Sequence, residues 1–214
     1  MADDVARTIS VTGDGMVSAV PDRATVRMSI NSRAKELDVA QAEAAKVTAA
    51  VLSLTKKLGI KKNKVDTTGA TVRPDYRWNR ETEQQELRGY IADRHMNVNV
   101  DDLDKLGKLV EGAVSAGVNQ VSPPQLDSSQ RKAMHREALA MAAKDARENA
   151  EALAKTLGVK LGDPISISDS IAPPQPPVPQ VRMAAAMEGD SAATYNAGDL
   201  TFSATVSVVF ELMK

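Results

Sequence analysis

The sequence contains no cysteine among its 214 residues. Disulfides, thiol catalysis and zinc–thiolate sites are therefore excluded together, whereas the compartment is not, because many periplasmic proteins also lack cysteine. Aromatic residues make up only 3% of the chain, while hydrophobic residues make up an ordinary 43%. The core is therefore expected to consist of Ala, Val, Leu, Ile and Met.

Neither an excess of charge nor a long apolar run is present. Lys plus Arg number 27 against 28 for Asp plus Glu, so the net charge does not favour nucleic acid or an anionic membrane surface. No run approaches the roughly 20 apolar residues that span a bilayer. The first residues, Met1-Ala-Asp-Asp, lack the basic and apolar regions of a signal peptide. We expect either a cytoplasmic protein or an exported protein in its mature form.

Motifs that carry chemistry are also scarce. The two histidines, His95 and His135, have no partner at metal-ligand spacing and are predicted to be ordinary polar surface residues. No Gly-x-Ser-x-Gly elbow is present. Gly13-x-Gly15 lacks the rest of a dinucleotide or phosphate fingerprint and is predicted to be a turn. We therefore predict no catalytic, cofactor-binding or metal-binding residue and no cofactor. The alternative, an enzyme, would need polar groups clustered in a cleft.

Alternating apolar and polar residues predict several β-strands. They cover residues 8–12, 24–30, 65–73, 89–100, 118–126, 164–171 and 200–212. Pro123-Pro124 places the strand 118–126 at a sheet edge or at a bulge. The polar stretch 74–88 is predicted to be the long, mobile, charged tip of a hairpin. Near it, Tyr76 and Trp78 either pack across the hairpin stem, the commoner arrangement, or mark a contact surface.

The first long helix is predicted to begin at Asp38, with Gln41 completing a capping box. Its apolar stripe predicts packing on a sheet, with a coiled-coil seam as the alternative. The members of this stripe are Ala40, Ala44, Val47, Val51, Leu54 and Leu58. A short helix is predicted to open at Asp101-Asp102 and to end at Gly117.

The second long helix is predicted to begin at Asp127, capped with the help of Gln130. Its narrow, alanine-rich stripe predicts a close approach to a sheet. The members of this stripe are Leu139, Ala142, Ala146, Ala150, Leu153 and Leu157. At about 1.5 Å per residue the helix is about 40 Å long. A helix that covers one small sheet can be shorter than this. Part of the helix is therefore expected to project from the sheet or to meet another subunit.

Both long helices end in a similar sequence, since segments 54–61 and 153–160 are identical at five of eight positions. Each copy predicts a helix end with a buried leucine, Leu58 or Leu157, followed by a glycine in the left-handed conformation. We predict one α+β domain over residues 1–214, built from two related sub-units at about 8–100 and 101–214. Each is a strand–helix–strand unit with mixed or antiparallel sheets. The Pro/Ala-rich residues 172–198 are predicted to be a surface excursion before the C-terminal strand.

Four segments in order carry a family resemblance: residues 9–15 leading to 21–26, then 89–92, 98–107 and 198–212. Together they resemble the SIMPL-domain family, which includes bacterial 26 kDa periplasmic immunogenic proteins. The resemblance implies an exported, periplasmic α+β protein with no assigned reaction and no catalytic residues to carry over. It also implies membership of a group in which some relatives assemble into ring- or channel-like oligomers and some are linked to oxidative-stress tolerance.

The expected function is therefore a non-enzymatic envelope protein that self-assembles into a homo-oligomer. Two other classes remain open. One is a small-ligand or lipid-binding module with a pocket between sheet and helices. The other is an adaptor that binds a protein partner through residues 172–198. No nucleic-acid partner and no transmembrane segment are expected, and association with a membrane surface stays undecided.

Overall fold

A computed structural model describes residues 7–67, 69–171 and 198–213. Within them the chain forms nine β-strands and three α-helices, which confirms the predicted α+β class. In chain order these are β1 (Thr8–Ala19), β2 (Arg23–Ala34), α1 (Leu37–Lys57), β3 (Val65–Asp66), β4 (Ala70–Asn79), β5 (Gln84–Val100), α2 (Leu106–Ser115), β6 (Gln120–Val121), β7 (Gln125–Asp127), α3 (Arg131–Thr156), β8 (Lys160–Ile171) and β9 (Leu200–Met213). Of the predicted excursion 172–198, only Gly198 is among the described residues.

The chain divides into two compact units. One combines the residues up to Pro21 with those from Ser128 onward, and the other runs from Asp22 to Asp127. These bounds differ from the predicted division near residue 100, because β1 belongs with α3, β8 and β9. A common origin of two sub-units stays a prediction.

The first unit is a three-stranded antiparallel sheet in the order β1-β9-β8, with α3 covering one face. β1 and β9 pair without a break from Thr8 opposite Glu211 to Ala19 opposite Leu200. Alternate side chains of β9 point towards the helix and are buried, as the sequence alternation predicts. They are Phe202, Ala204, Val206, Val208 and Phe210.

The predicted turn at Gly13 and Gly15 is wrong, since both residues lie inside the continuous strand β1. A β-carbon on Gly13 would lie 2.1 Å from the backbone nitrogen of Ala146. One on Gly15 would lie 2.0 Å from the backbone oxygen of Ala138. The glycines are therefore needed because the backbone of α3 lies directly against the strand.

The same contact changes the buried face of α3. Ala142, Ala146 and Ala150 of the predicted stripe are buried, as expected, whereas Leu153 is exposed and Leu157 is 67% exposed, contrary to the prediction. The buried residues are Ala138, Ala142, Ala146, Ala150 and Ala154. The length of α3 also needs no projecting part. β1 has 12 residues and β9 has 14, and strands of that length span about 40 Å or more at 3.3 Å per residue.

The second unit is a sheet in which β5 and β2 form the centre. β3 and β4 pair with the outer side of β5, whereas β6 and β7 pair with the outer side of β2. The break around Pro123-Pro124 thus lies at an edge, as predicted. Helices α1 and α2 cover one face, and their apolar residues pack with the inner side chains of β2 and β5. Fully buried examples are Val26, Met28, Met96, Val98 and Leu109.

The two predicted capping boxes are wrong. α1 follows Glu36 and α3 follows Gln130, and neither residue's side chain caps its helix. Instead the Ser128 hydroxyl accepts a hydrogen bond from the Gln130 backbone nitrogen at 3.2 Å, before α3 begins. The short helix predicted to open at Asp101-Asp102 does begin there. The Asp102 carboxylate accepts a hydrogen bond from the Asp104 backbone nitrogen at 3.1 Å.

The two predicted glycine helix ends are confirmed in conformation. Gly59 has φ 72° and Gly158 has φ 71°. At each end the residue after the glycine donates to the carbonyl five positions earlier, Ile60 to Thr55 and Val159 to Ala154. This is the Schellman motif. Because α2 ends with the same hydrogen bonds, the motif alone does not mark a repeat. Leu58 packs against the core, while Leu157 does not.

Candidate functional surface

The arrangement nearest to catalytic chemistry is a serine–histidine contact between β2 and β5. Ser29 and His95 lie opposite each other in register, and the Ser29 Oγ is 2.9 Å from the His95 Nδ1. A serine nucleophile normally needs the histidine to be oriented by a third group. Among the described residues no hydrogen bond joins His95 to a carboxylate. The contact is thus a cross-strand polar pair on an exposed sheet face.

The second histidine, His135, does not have the polar surface role that was predicted. It is half-buried, and its ring meets the Phe202 ring edge-on, with centroids 5.2 Å apart and planes at 84°. Its Nδ1 is buried without a hydrogen-bond partner. The side chain therefore acts mainly as a flat aromatic body that covers the end of the α3–β9 contact.

Two depressions beside the helices are small. The cavity beside His95 and Thr48 measures about 20 Å³. A depression between Gly59 and Lys105 measures about 200 Å³. Both are smaller than the roughly 300–1,000 Å³ of ligand pockets. Across residues 7–67, 69–171 and 198–213, no three His, Asp or Glu residues come together as metal ligands do.

The most distinctive exposed feature is the hairpin of β4 and β5. Its strands continue to Asn79 and Gln84, so the stretch 74–88, predicted to be a mobile tip, is mostly regular strand. Only residues 80–83 form the turn. Asn79 fixes this turn, because its Oδ1 accepts from the Glu81 nitrogen at 2.9 Å and its Nδ2 donates to the Glu86 Oε1 at 2.7 Å.

A β-bulge marks the point where the hairpin leaves the sheet. Asp75 pairs with Gly89, but the next residue, Tyr76, pairs with Leu87. Arg88 is therefore the extra residue, and a bulge of this kind bends and twists the ribbon. From residue 80 through Arg88 every side chain is exposed. The end of the hairpin is thus a two-stranded ribbon that is solvent-exposed on both sides.

One side of this ribbon is apolar. Tyr76 and Trp78 are two residues apart on β4 and so project on the same side, and Leu87 lies opposite Tyr76. Their exposed fractions are 55%, 56% and 50%. We call these three residues the hairpin stripe. Tyr76 faces Leu87 across the hairpin stem, in agreement with the predicted packing across the stem. About half of each of these side chains is still exposed and can contact a partner.

The other side of the ribbon is polar. Arg77 lies opposite Glu86, and Asn79 lies opposite Gln84. A shallow concavity of about 710 Å³ lies at the tip and is lined by residues of this hairpin alone, among them Arg77 and Glu86 of this side and Trp78 of the other. Because the ribbon provides all of its walls, this concavity is an open surface depression. The ribbon therefore has one mainly apolar side, on which Gln85 lies opposite Trp78, and one polar side.

These observations define a two-unit α+β protein in which helices cover one face of each antiparallel sheet and an exposed aromatic ribbon extends from one of them. The sequence matches the family described as SIMPL, protein of unknown function (DUF541), over residues 9–210. The chain belongs to this SIMPL family, and the resemblance found in its sequence is confirmed.

Named relatives agree with this assignment. The chain is 31% identical over 210 residues to the 26 kDa periplasmic immunogenic protein of Brucella melitensis, covering 95% of this chain and 84% of that protein. It is 31% identical over 210 residues to the uncharacterized protein YggE of Edwardsiella ictaluri, covering 96% and 87%. The uncharacterized protein YggE of Escherichia coli K12 is 32% identical over 209 residues, covering 95% and 82%. None of these names gives a reaction. In the helices that the structure describes, we find no segment with the length and apolarity of a membrane span.

Proposed function

We propose that this protein is a non-enzymatic module of the bacterial periplasm that self-assembles through the hairpin stripe. The observation that carries the proposal is the exposure of Tyr76, Trp78 and Leu87 on one side of a ribbon. An isolated two-stranded hairpin is marginally stable in water. Burying its apolar side against another copy stabilises the ribbon and removes the aromatic rings from solvent at the same time.

The periplasmic location is supported by the name of the Brucella relative, a periplasmic immunogenic protein. A link to envelope or oxidative-stress tolerance is part of the same proposal and is supported by the family resemblance. The non-enzymatic role is supported by the lack of a third group beside Ser29 and His95 among the described residues. It is also supported by the small cavities next to the helices.

The size of the stripe indicates how strong the contact is. Three half-exposed side chains present on the order of 300 Å², whereas a stable interface buries about 800 Å² per partner. One stripe-to-stripe contact is therefore weak, and several such contacts must act together in one particle. We expect an oligomer whose population rises with protein concentration.

Sedimentation velocity over a series of concentrations tests this function. The chain has a mass of 22.8 kDa, and the proposal predicts particles several times heavier at tens of micromolar. A single 22.8 kDa species at every concentration would overturn self-assembly. The ligand-binding and adaptor functions would then be the ones to pursue.

A further inference from the structure

The outer edge of β4 differs from the opposite side of its sheet. On that opposite side β6 and β7 pair with β2, and the Asn119 side chain continues the pairing. Its Oδ1 accepts from the Asn31 backbone nitrogen at 2.9 Å, and its Nδ2 donates to the Asn31 carbonyl at 2.6 Å. Within the part of the chain that the structure describes, β4 pairs with β5 alone. Its residues are exposed except Asp75 and Asn79, which are half-buried. Such an edge accepts another extended strand.

Pro74 shows which backbone groups of β4 face this outer edge. Proline has no N–H, yet Pro74 lies within the paired strand, opposite Tyr90. Its nitrogen therefore points away from β5. Along a strand, alternate residues direct their backbone groups to the same side, and the extra residue of the bulge belongs to β5 and not to β4. Tyr76 and Trp78 thus present their N–H and C=O groups at the outer edge, so the residues with free backbone groups are those of the hairpin stripe.

Two charged side chains lie beside these groups. Asp75 and Arg77 are two residues apart on β4 and project on the polar side of the ribbon. Asp75 lies opposite Gly89, which has no side chain, and Arg77 lies opposite Glu86. The Glu86 Oε1 accepts from the Asn79 Nδ2 at 2.7 Å, and no ion pair joins it to Arg77. Among the described residues neither Asp75 nor Arg77 takes part in an ion pair. The edge therefore carries one negative and one positive charge at successive positions on the same side.

We propose that two copies of the chain pair β4 with β4 in antiparallel orientation, with Tyr76 opposite the partner's Tyr76. In this register Asp75 lies opposite the partner's Arg77, and Arg77 lies opposite the partner's Asp75. Moving the two-fold axis to Arg77 or to Asp75 would place two arginines or two aspartates opposite each other, which is destabilising. The charges therefore select one register. This inference rests on the proposed self-assembly and specifies how the copies meet.

The contact is short because both of its ends are limited. The Tyr76 pair exchanges two backbone hydrogen bonds, as residues directly opposite each other do at such positions. Pro74 lies opposite the partner's Trp78, where its carbonyl accepts a hydrogen bond but its nitrogen has none to donate. On the other side of Trp78 the turn at residues 80–83 ends the strand. Backbone pairing alone is thus limited to a few hydrogen bonds.

Edge pairing also joins two hairpin stripes into one patch. Side chains opposite each other in an antiparallel pair lie on the same side of the sheet. Pro74, Tyr76, Trp78 and Leu87 of both copies therefore form one apolar surface. If one stripe presents on the order of 300 Å², the joined patch presents roughly 600 Å², which approaches the 800 Å² or so that each partner buries in a stable interface. Two such pairs then pack patch to patch into a closed particle.

A charge exchange tests the register. In Asp75→Arg both cross-strand contacts become arginine against arginine, and in Arg77→Asp both become aspartate against aspartate. Each variant alone should need at least about tenfold more protein to assemble than the wild type. In an equimolar mixture of the two variants every contact between unlike chains again joins opposite charges, so assembly should return to the wild-type range. Sedimentation velocity measures assembly, and circular dichroism shows that each variant folds. Asp169→Arg, in the other unit, is the matched control and should assemble as the wild type does.

A disulfide provides an independent measurement. The chain has no cysteine, and the Cα atoms of a hydrogen-bonded pair lie about 5.5 Å apart, which a disulfide can bridge. Oxidation should therefore link Tyr76→Cys into a dimer and leave Leu157→Cys, a similarly exposed position of the other unit, unlinked.

Charge variants that assemble like the wild type would overturn the β4 pairing, and so would a mixture that does not recover. Where a charge variant does not fold, the disulfide decides, and equal linkage of the two cysteine variants would overturn the pairing. These results would leave self-assembly through the hairpin stripe standing. A wild-type chain that sediments as a monomer at every concentration would instead remove both proposals, so the two failures are distinguishable.

Discussion

Gly13 of β1 lies against the backbone of Ala146 in α3 so closely that a β-carbon on Gly13 would be 2.1 Å from the Ala146 nitrogen and 2.3 Å from the Ala142 oxygen. Both atoms belong to the backbone and cannot rotate away. Helix α3 and strand β1 are therefore joined at this point through glycine and alanine, while Val206, Val208 and Phe210 of β9 pack under the same helix.

The substitution Gly13→Ala should consequently be severe. The added methyl group must push the helix from the strand, and we expect a loss of about 3 kcal/mol in the free energy of unfolding. Urea denaturation measures this loss. Gly107→Ala is the matched control, since Gly107 lies in α2 and a β-carbon there meets no atom within 4 Å. It should leave stability unchanged or raise it by up to about 1 kcal/mol. Equal effects of both changes would contradict the close contact.

The two leucines that end the long helices should behave differently, although their glycines share one conformation. Leu157→Ala should cost less than about 0.5 kcal/mol, because the side chain is mostly exposed. Leu109→Ala should cost about 2–5 kcal/mol, since Leu109 is fully buried. Leu58, which is partly buried against the core, should fall between them. Thermal or urea unfolding of the three variants ranks them, and a large loss at Leu157 would show that the helix end is buried in the native particle.

The Ser29–His95 pair should not act as a nucleophile and base. Without a group to orient the imidazole, the Ser29 hydroxyl has ordinary reactivity. A fluorophosphonate probe should therefore leave Ser29 unmodified in intact-mass and peptide spectra. The variant Ser29→Ala provides the baseline for these spectra. Labelling that is present in the wild-type chain and lost in Ser29→Ala would assign a reactive serine and would contradict the non-enzymatic role.

Trp78 is the only tryptophan of the chain, so its fluorescence reports directly on the hairpin stripe. In dilute solution its emission should be that of a ring in contact with water, since more than half of the side chain is exposed. With rising concentration the emission maximum should move to shorter wavelength and acrylamide quenching should weaken, because association buries the ring. An emission maximum that stays constant over the range in which sedimentation shows oligomers would place the interface elsewhere.

Much of the fold follows from the sequence pattern. The alternation in residues 200–212 gave the buried face of β9 correctly, and the apolar spacing of α1 gave its orientation, with Ala40, Ala44 and Val51 buried. Both patterns work because a strand and a helix each bury a face whose period is fixed by backbone geometry.

The errors arise where two segments far apart in sequence determine each other. Large leucines were expected on the buried face of α3, but Gly13 and Gly15 bring the backbone of the helix too close for them. The sequence did contain a signal for this close contact. It combines two glycines at strand spacing with alanines at every fourth position from Ala138 to Ala154. Tyr76 and Trp78 of the hairpin stripe were recognised in the sequence, with a contact surface as one interpretation, whereas Leu87 was not, because residues 74–88 were predicted to form a mobile tip. The sequence has no local feature that places Tyr76 opposite Leu87 or β8 at an edge.

The most direct test of the account is the mass of a stripe variant in solution. Tyr76→Ser/Trp78→Ser removes most of the apolar side of the ribbon, while Leu157→Ser removes a leucine of similar exposure from the other unit and serves as the control. At tens of micromolar, sedimentation velocity should show the double variant as a folded 22.8 kDa monomer and the control as the wild-type oligomer. An oligomer of unchanged mass in the double variant would contradict the proposed interface.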